Sequence, residues 1–174
     1  MTNIRKLAVC LLNISEANNK SLVERIARSA VVKQDDHQLE TTILNVFSDE
    51  IYNRSVITIA GTTCLSNTIG STSHIIRVSV LCNLGTLQGV ERGVVRACCA
   101  ALDNLPAIRH HHGGHPRQGT VDLIPIHPVT NDATLEECAE VARSISQVGS
   151  NQTLRCSTFY VKLIRVLFGT FAEP

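Results

Sequence analysis

Four of the seven histidines fall within six positions, in the run Arg109-His110-His111-His112-Gly113-Gly114-His115-Pro116-Arg117-Gln118-Gly119. An unperturbed imidazole titrates near pH 6.5, so it can take and return a proton near neutrality, which makes general acid/base catalysis the chemistry this loop suits best. The neighbours single out His115. Pro116 fixes the backbone direction after it, Gly113 and Gly114 let a substrate approach closely, and Arg117 is suited to hold a carboxylate. A metal reading would use His112-x-x-His115 with Asp122 or His127 as third ligand, but the His-Glu-x-x-His signature of a zinc helix is absent, so no metal is expected. The plain alternative to both is a solvated polar turn. No serine or cysteine nucleophile motif accompanies the loop, and Cys98-Cys99 sits on the apolar side of a predicted helix, where thiols pack and stay inert.

The loop must be positioned by the elements around it. Thr120 to Ile126 reads as the strand that follows it. Leu7 to Leu12, a continuous apolar run, predicts a strand buried on both faces or packed centrally. Leu22, Val23, Ile26, Ala27 and Ala30 recur at helical spacing in a helix from Ser21 to near Val32, followed by a polar loop over Lys33 to His37. Thr42 to Phe47 and Ser55 to Ala60 are β-branched runs either side of a polar connection. Residues 61–74 read as loop and Ile75 to Leu81 as a strand. Leu87, Val90, Val94, Ala97, Cys98, Ala101 and Leu105 mark a second helix, which Gly89 and Gly93 should each weaken by about 1 kcal/mol. Thr134 and Glu137 form a capping box opening a third helix with Leu135, Cys138, Ala142 and Ile145 on its apolar side. A last strand is expected over Thr158 to Val161. Helices alternating with strands, two of them consecutive, predict an α+β fold: one mixed sheet with the helices packed on one face.

Composition narrows the function classes. A length of 174 residues fits one domain. With a net charge of +1 and 3% aromatics, the chain lacks both the basic excess and the stacking platforms of a nucleic-acid binder. The apolar run Leu7 to Leu12 is too short for a leader, and the most apolar stretch, Phe159 to Phe168, carries Lys162 and Arg165, so no membrane segment is expected. Seven cysteines without a Cys-x-x-Cys pair or a repeated spacing read as reduced thiols of a cytoplasmic protein.

Four segments resemble, in order, the N-terminal subdomain of the formiminotransferase family, and most closely its short stand-alone members. They are Cys10-Leu11-Leu12-Asn13-Ile14-Ser15-Glu16, Tyr52-Asn53-Arg54-Ser55-Val56, the block from His115-Pro116-Arg117-Gln118-Gly119 to Asp122-Leu123-Ile124-Pro125, and Thr134-Leu135-Glu136-Glu137-Cys138. The resemblance implies a subdomain over residues 1–160 with an insertion at 61–83 and a divergent tail at 161–174. It further implies transfer of the formimino group of formiminoglutamate to N5 of tetrahydrofolate, a substrate here, in histidine degradation and one-carbon metabolism. His115 matches the family's catalytic histidine and Asn13 and Glu16 are candidate cleft residues by the same match, for which a turn and capping role is the alternative; Asn13, Glu16, Arg117 and Gly119 are the residues expected to bind substrate. Where the family places an aspartate that supports that histidine, this chain has Asn45 and Phe47, with Asp49 close by. The resemblance stops after Tyr160, so the second subdomain that supplies the family's other cleft wall is not expected in these residues. A folate-binding or interaction module without catalysis is therefore the competing expectation, and a homodimer would be one way to restore the second wall.

Overall fold

The central strand β1 (Leu7–Ile14) alternates fully buried Ala8, Cys10, Leu12 and Ile14 with half-buried Leu7, Val9, Leu11 and Asn13. A period of two marks a strand with one face on the core, so the run lies centrally but only one face is sealed. The computed structural model describes residues 6–31, 33–35, 38–63, 89–105, 113–114 and 119–150.

After β1, Asn19 caps α1 (Lys20–Ser29), its side chain accepting from the Leu22 amide at 3.1 Å. The helix stops short of Val32 because the Ala30 carbonyl accepts from the Thr41 hydroxyl, at 2.5 Å, at the start of the next long strand. The polar loop expected over Lys33 to His37 is instead part of a small ladder between β2 (Lys33–Asp35) and β3 (Gln38–Leu39). Backbone pairing in two such short strands needs no apolar periodicity, so no strand signal is visible in these residues. Next, β4 (Thr41–Asp49) and β5 (Arg54–Thr62) form an antiparallel hairpin with a bulge between Ile43 and Asn45. β5 runs to Thr62, two residues into the segment read as loop and insertion.

Two glycines of α2 (Gly89–Asn104) turn out to be required by packing. Gly89 has φ +55°, and a Cβ there would sit 2.1 Å from the Thr62 carbonyl oxygen. A Cβ on Gly93 would lie 2.8 Å from both the Ala30 carbonyl and the Thr41 methyl, so the absent side chain lets α2 pack tightly beside the end of α1. The strand expected over Thr120 to Ile126 is two, β6 (Val121–Leu123) and β7 (Ile126–Pro128). Pro125 lacks an N–H for the ladder, but its carbonyl still accepts from the Leu11 amide at 3.0 Å. The predicted capping box opens α3 (Leu135–Ser150): the Thr134 amide donates to Glu137 Oε2 (2.9 Å) and the Glu137 amide to Thr134 Oγ1 (3.2 Å). The strands expected at Ile75 to Leu81 and Thr158 to Val161, and the tail from 161, lie outside the described residues.

The sheet runs β4-β5-β1-β6, with β7 also paired to β1, and every described pairing is antiparallel. Leu12, Ile14, Ile57 and Ile59 join Val23 and Ile26 of α1, Val90 and Val94 of α2, and Val141 and Ile145 of α3 in one core. Each such side chain contributes about 1.5–3 kcal/mol by leaving water. This is the expected α+β fold with helices on one face. The other face, carrying Asn13, Val56 and Phe47 in register, bears none of the described helices. No described helix is long and apolar enough to cross a membrane.

Candidate functional site

The histidine loop joins α2 to β6, and its described parts are Gly113–Gly114 and Gly119–Thr120; His110 to His112 and His115 to Gln118, including Arg117, lie outside the described residues. Both described parts are docked. The Gly114 amide donates to the Ile51 carbonyl (2.9 Å) in the β4–β5 turn. Five residues on, the Ser15 amide donates to the Thr120 carbonyl (3.0 Å), and the single Ser15 hydroxyl proton lies between the Gly119 carbonyl (2.7 Å) and Asp122 Oδ2 (2.9 Å).

Asp122 is the centre of this arrangement. It is 6% exposed, its Oδ1 accepts from the Gly119 amide at 2.9 Å, and its Oδ2 accepts from Arg54 Nη2 at 2.7 Å. A buried carboxylate is tolerated only when paired and hydrogen-bonded, and one guanidinium, one hydroxyl and one amide meet that demand here. The turn beneath is tied down equally well. Asn53 adopts the left-handed conformation (φ 47°), and its buried Oδ1 accepts from the amides of Ala17 (2.7 Å) and Asn18 (3.3 Å). Ser55 donates its hydroxyl to the Glu16 carbonyl at 2.5 Å, leaving Ser48 to donate to Ser55 at 2.7 Å.

Asn13 ends the open face of β1, half-buried, with Nδ2 donating to the Leu11 carbonyl at 2.9 Å. Glu16 follows in the loop to α1, where its Oε1 accepts from the Asn19 amide at 3.0 Å, a contact of the capping kind. Gly119 is buried against Ser15 and Asp122. These three sit at the same end of the sheet. Asn45 and Phe47 are exposed on β4 opposite Thr58 and Val56, and Asp49 lies opposite Arg54 with its Oδ1 accepting from the Tyr52 amide at 3.0 Å, so that carboxylate serves the turn. His127 lies on β7 opposite Val9. Burial pushes the Cys10 and Cys98 thiols far above their ordinary values, which makes them packing groups.

Ser15, Asn53 and Arg54 were not singled out as site residues from their sequence surroundings. The available signal was a charge out of place: Arg54 opens a β-branched run and Asp122 sits between Val121 and Leu123, and opposite charges in two apolar strands suggest a buried pair.

Residues 7–163 match the formiminotransferase domain, N-terminal subdomain. The chain is similar to the glutamate formimidoyltransferase of Streptococcus pyogenes serotype M1, 25% identical over 142 residues that make up 82% of this chain and 37% of that protein. It is 30% identical over 154 residues to the formiminotransferase cyclodeaminase-like protein of Arabidopsis thaliana, covering 88% of this chain and 42% of the relative. With the formimidoyltransferase-cyclodeaminase of Sus scrofa it shares 27% over 142 residues, 82% of this chain and 20% of the relative. The chain thus spans well under half the length of these relatives.

Proposed function

The chain belongs to the formiminotransferase family, in its N-terminal subdomain, and from that premise we propose that it serves formimino transfer from formiminoglutamate to N5 of tetrahydrofolate, with His115 as the proton carrier. The observation that carries this reading is the docking of both described parts of the loop: Gly114 on Ile51, and Gly119–Thr120 on Ser15, leave only four residues between fixed points. His115 is the next residue after Gly114, which is anchored on the β4–β5 turn. Such anchoring is what a general acid/base needs, because proton transfer requires heavy atoms within hydrogen-bond reach.

In the proposed step the N5 lone pair attacks the formimino carbon, and N5 passes its proton to His115. The tetrahedral intermediate then collapses: the bond from carbon to the glutamate nitrogen breaks, and that nitrogen leaves with the proton His115 returns. Arg117 is assigned to a glutamate carboxylate, a task for which a guanidinium fork is suited. Tetrahydrofolate enters as substrate, and no metal takes part in the proposal. The setting proposed is the cytoplasm, where a homodimer would supply the second wall.

A second reading is favoured by one specific observation. The positions at which the family's supporting aspartate is expected are the exposed Asn45 and Phe47, and Asp49 is engaged in the turn. A folate-binding module without turnover fits that chemistry. One experiment separates the two: transfer from formiminoglutamate measured beside calorimetric titration with reduced folate. Catalysis predicts turnover that His115→Ala lowers about 10²- to 10⁴-fold with folate affinity kept. Binding without turnover in the wild-type chain establishes the module, and turnover untouched by His115→Ala removes the catalytic role of that residue.

A further inference from the structure

Resting on the transfer reading, we propose that Asp122 and Arg54 are positioning residues that hold the Gly119 end of the histidine loop to β5 and to Ser15 just past β1. One carboxylate joins three segments that are far apart in the chain. Oδ1 takes the Gly119 amide of the loop, while Oδ2 takes Arg54 Nη2 from β5 and faces the Ser15 hydroxyl just past β1. Arg54 belongs to the half-buried row of β5, with Val56, Thr58 and Ala60, so its side chain rises from the open face that also carries Asn13. The guanidinium therefore reaches up from the floor of the site and Asp122 reaches across from its wall. Their pairing sets the distance between the floor and the Gly119 end of the loop. The Asp122 side chain is 3% exposed and that of Arg54 is 21%, so water competes poorly with this contact.

An amide in place of the carboxylate keeps the shape but offers a single acceptor oxygen to the Gly119 amide, the Arg54 fork and the Ser15 hydroxyl. Either the Gly119 amide or the Arg54 fork then loses its acceptor, while the Ser15 hydroxyl keeps the Gly119 carbonyl, so the Gly119 end is held less firmly. Misplacement of catalytic groups by about 1 Å costs on the order of a hundredfold in rate. Since neither residue exchanges protons with the substrate here, the rate falls while the pH profile stays.

The test is Asp122→Asn in the full chain, with transfer kinetics across pH and amide hydrogen exchange read by NMR. The expected result is a kcat lower by about ten- to a hundredfold, a KM within threefold, an unmoved acid limb, and a Gly119 amide that exchanges at least tenfold faster while those of Cys10 and Ile59 keep their protection. Arg54→Lys, which keeps the charge and loses the fork, is expected to do the same to a smaller degree and carries the test should the first variant not fold. Wild-type kcat or wild-type protection of Gly119 overturns the proposal, and so does a shifted acid limb, which would mark Asp122 as a direct electrostatic partner of the proton carrier. Absent turnover in the wild-type chain overturns the transfer reading alone, and the clamp is then judged by Gly119 exchange.

Discussion

The two faces of the sheet are built by opposite means. Toward the helices, Leu12, Ile14, Ile57 and Ile59 are sealed in an apolar core in which Gly61, Gly89 and Gly93 allow backbones to approach. At the loop end, a buried aspartate, a left-handed asparagine and two serines tie the β1–α1 connection, the β4–β5 turn and the loop before β6 together. Apolar packing is non-directional and scales with area, whereas each polar contact depends on one angle and one distance. The first region therefore supplies stability and the second supplies geometry.

That contrast can be broken in order of effect. Leu12→Ala, a truncation in the fully buried centre of β1, is expected to cost about 2–5 kcal/mol of global stability by urea unfolding. The Gly114 and Gly119 amides should then lose protection only in step with the whole protein, and selective loss there would mean that the core also sets the loop. Asn53→Gly is the reverse case. Glycine accepts the positive φ but offers no acceptor to the Ala17 and Asn18 amides, so about 1–3 kcal/mol should be lost, with faster exchange concentrated at residues 17, 18 and 114. Uniform exchange across the core would erase the distinction.

The smallest expected effect lies at the far end of the molecule and depends on pH. The hydrogen bond from Lys6 at 2.6 Å, joined by the Thr134 amide, holds the Glu137 carboxyl below its ordinary value. The unfolded chain binds that proton first on acidification, so the contribution is complete above the ordinary carboxylate range and disappears as pH falls through the folded value. Melting curves between about pH 6 and pH 3 should show a steeper acid-side fall for the wild type than for Glu137→Gln, with parallel curves counting against it.

The helix-covered face was legible in the sequence because its signals are local. Residues Leu22 to Ala30 and Val90 to Leu105 repeat at helical spacing, the runs in β4 and β5 are β-branched, and the capping box of α3 lies within four residues. The glycines of α2 were read as weak points of a helix, since what they accommodate is the carbonyl of Ala30 and the backbone of Thr62. The loop end was legible only in part. The family resemblance pointed to Asn13, Glu16 and Gly119, but Ser15 meets Asp122 across 107 residues and Ala17 meets Asn53 across 36, and hydrogen bonds over such separations leave no spacing to read. The ladder of β2 and β3 was lost for a related reason, since backbone pairing writes nothing into side-chain order.

The central place of β1 has a consequence for how the chain is made. β4 and β5 are joined through residues 50–53 and can pair as soon as both have emerged. β1 is synthesised first yet acquires one neighbour only when Thr62 is in place and the other only when Pro128 is. At about 5–20 residues per second the first strand spends several seconds with an unpaired edge. Pairings so distant in sequence also slow folding after release. Of the described strands, β1 is thus the first to be made and the last to gain all its neighbours, and Ser15 just past its end can meet Gly119 and Asp122 only once they too have been made.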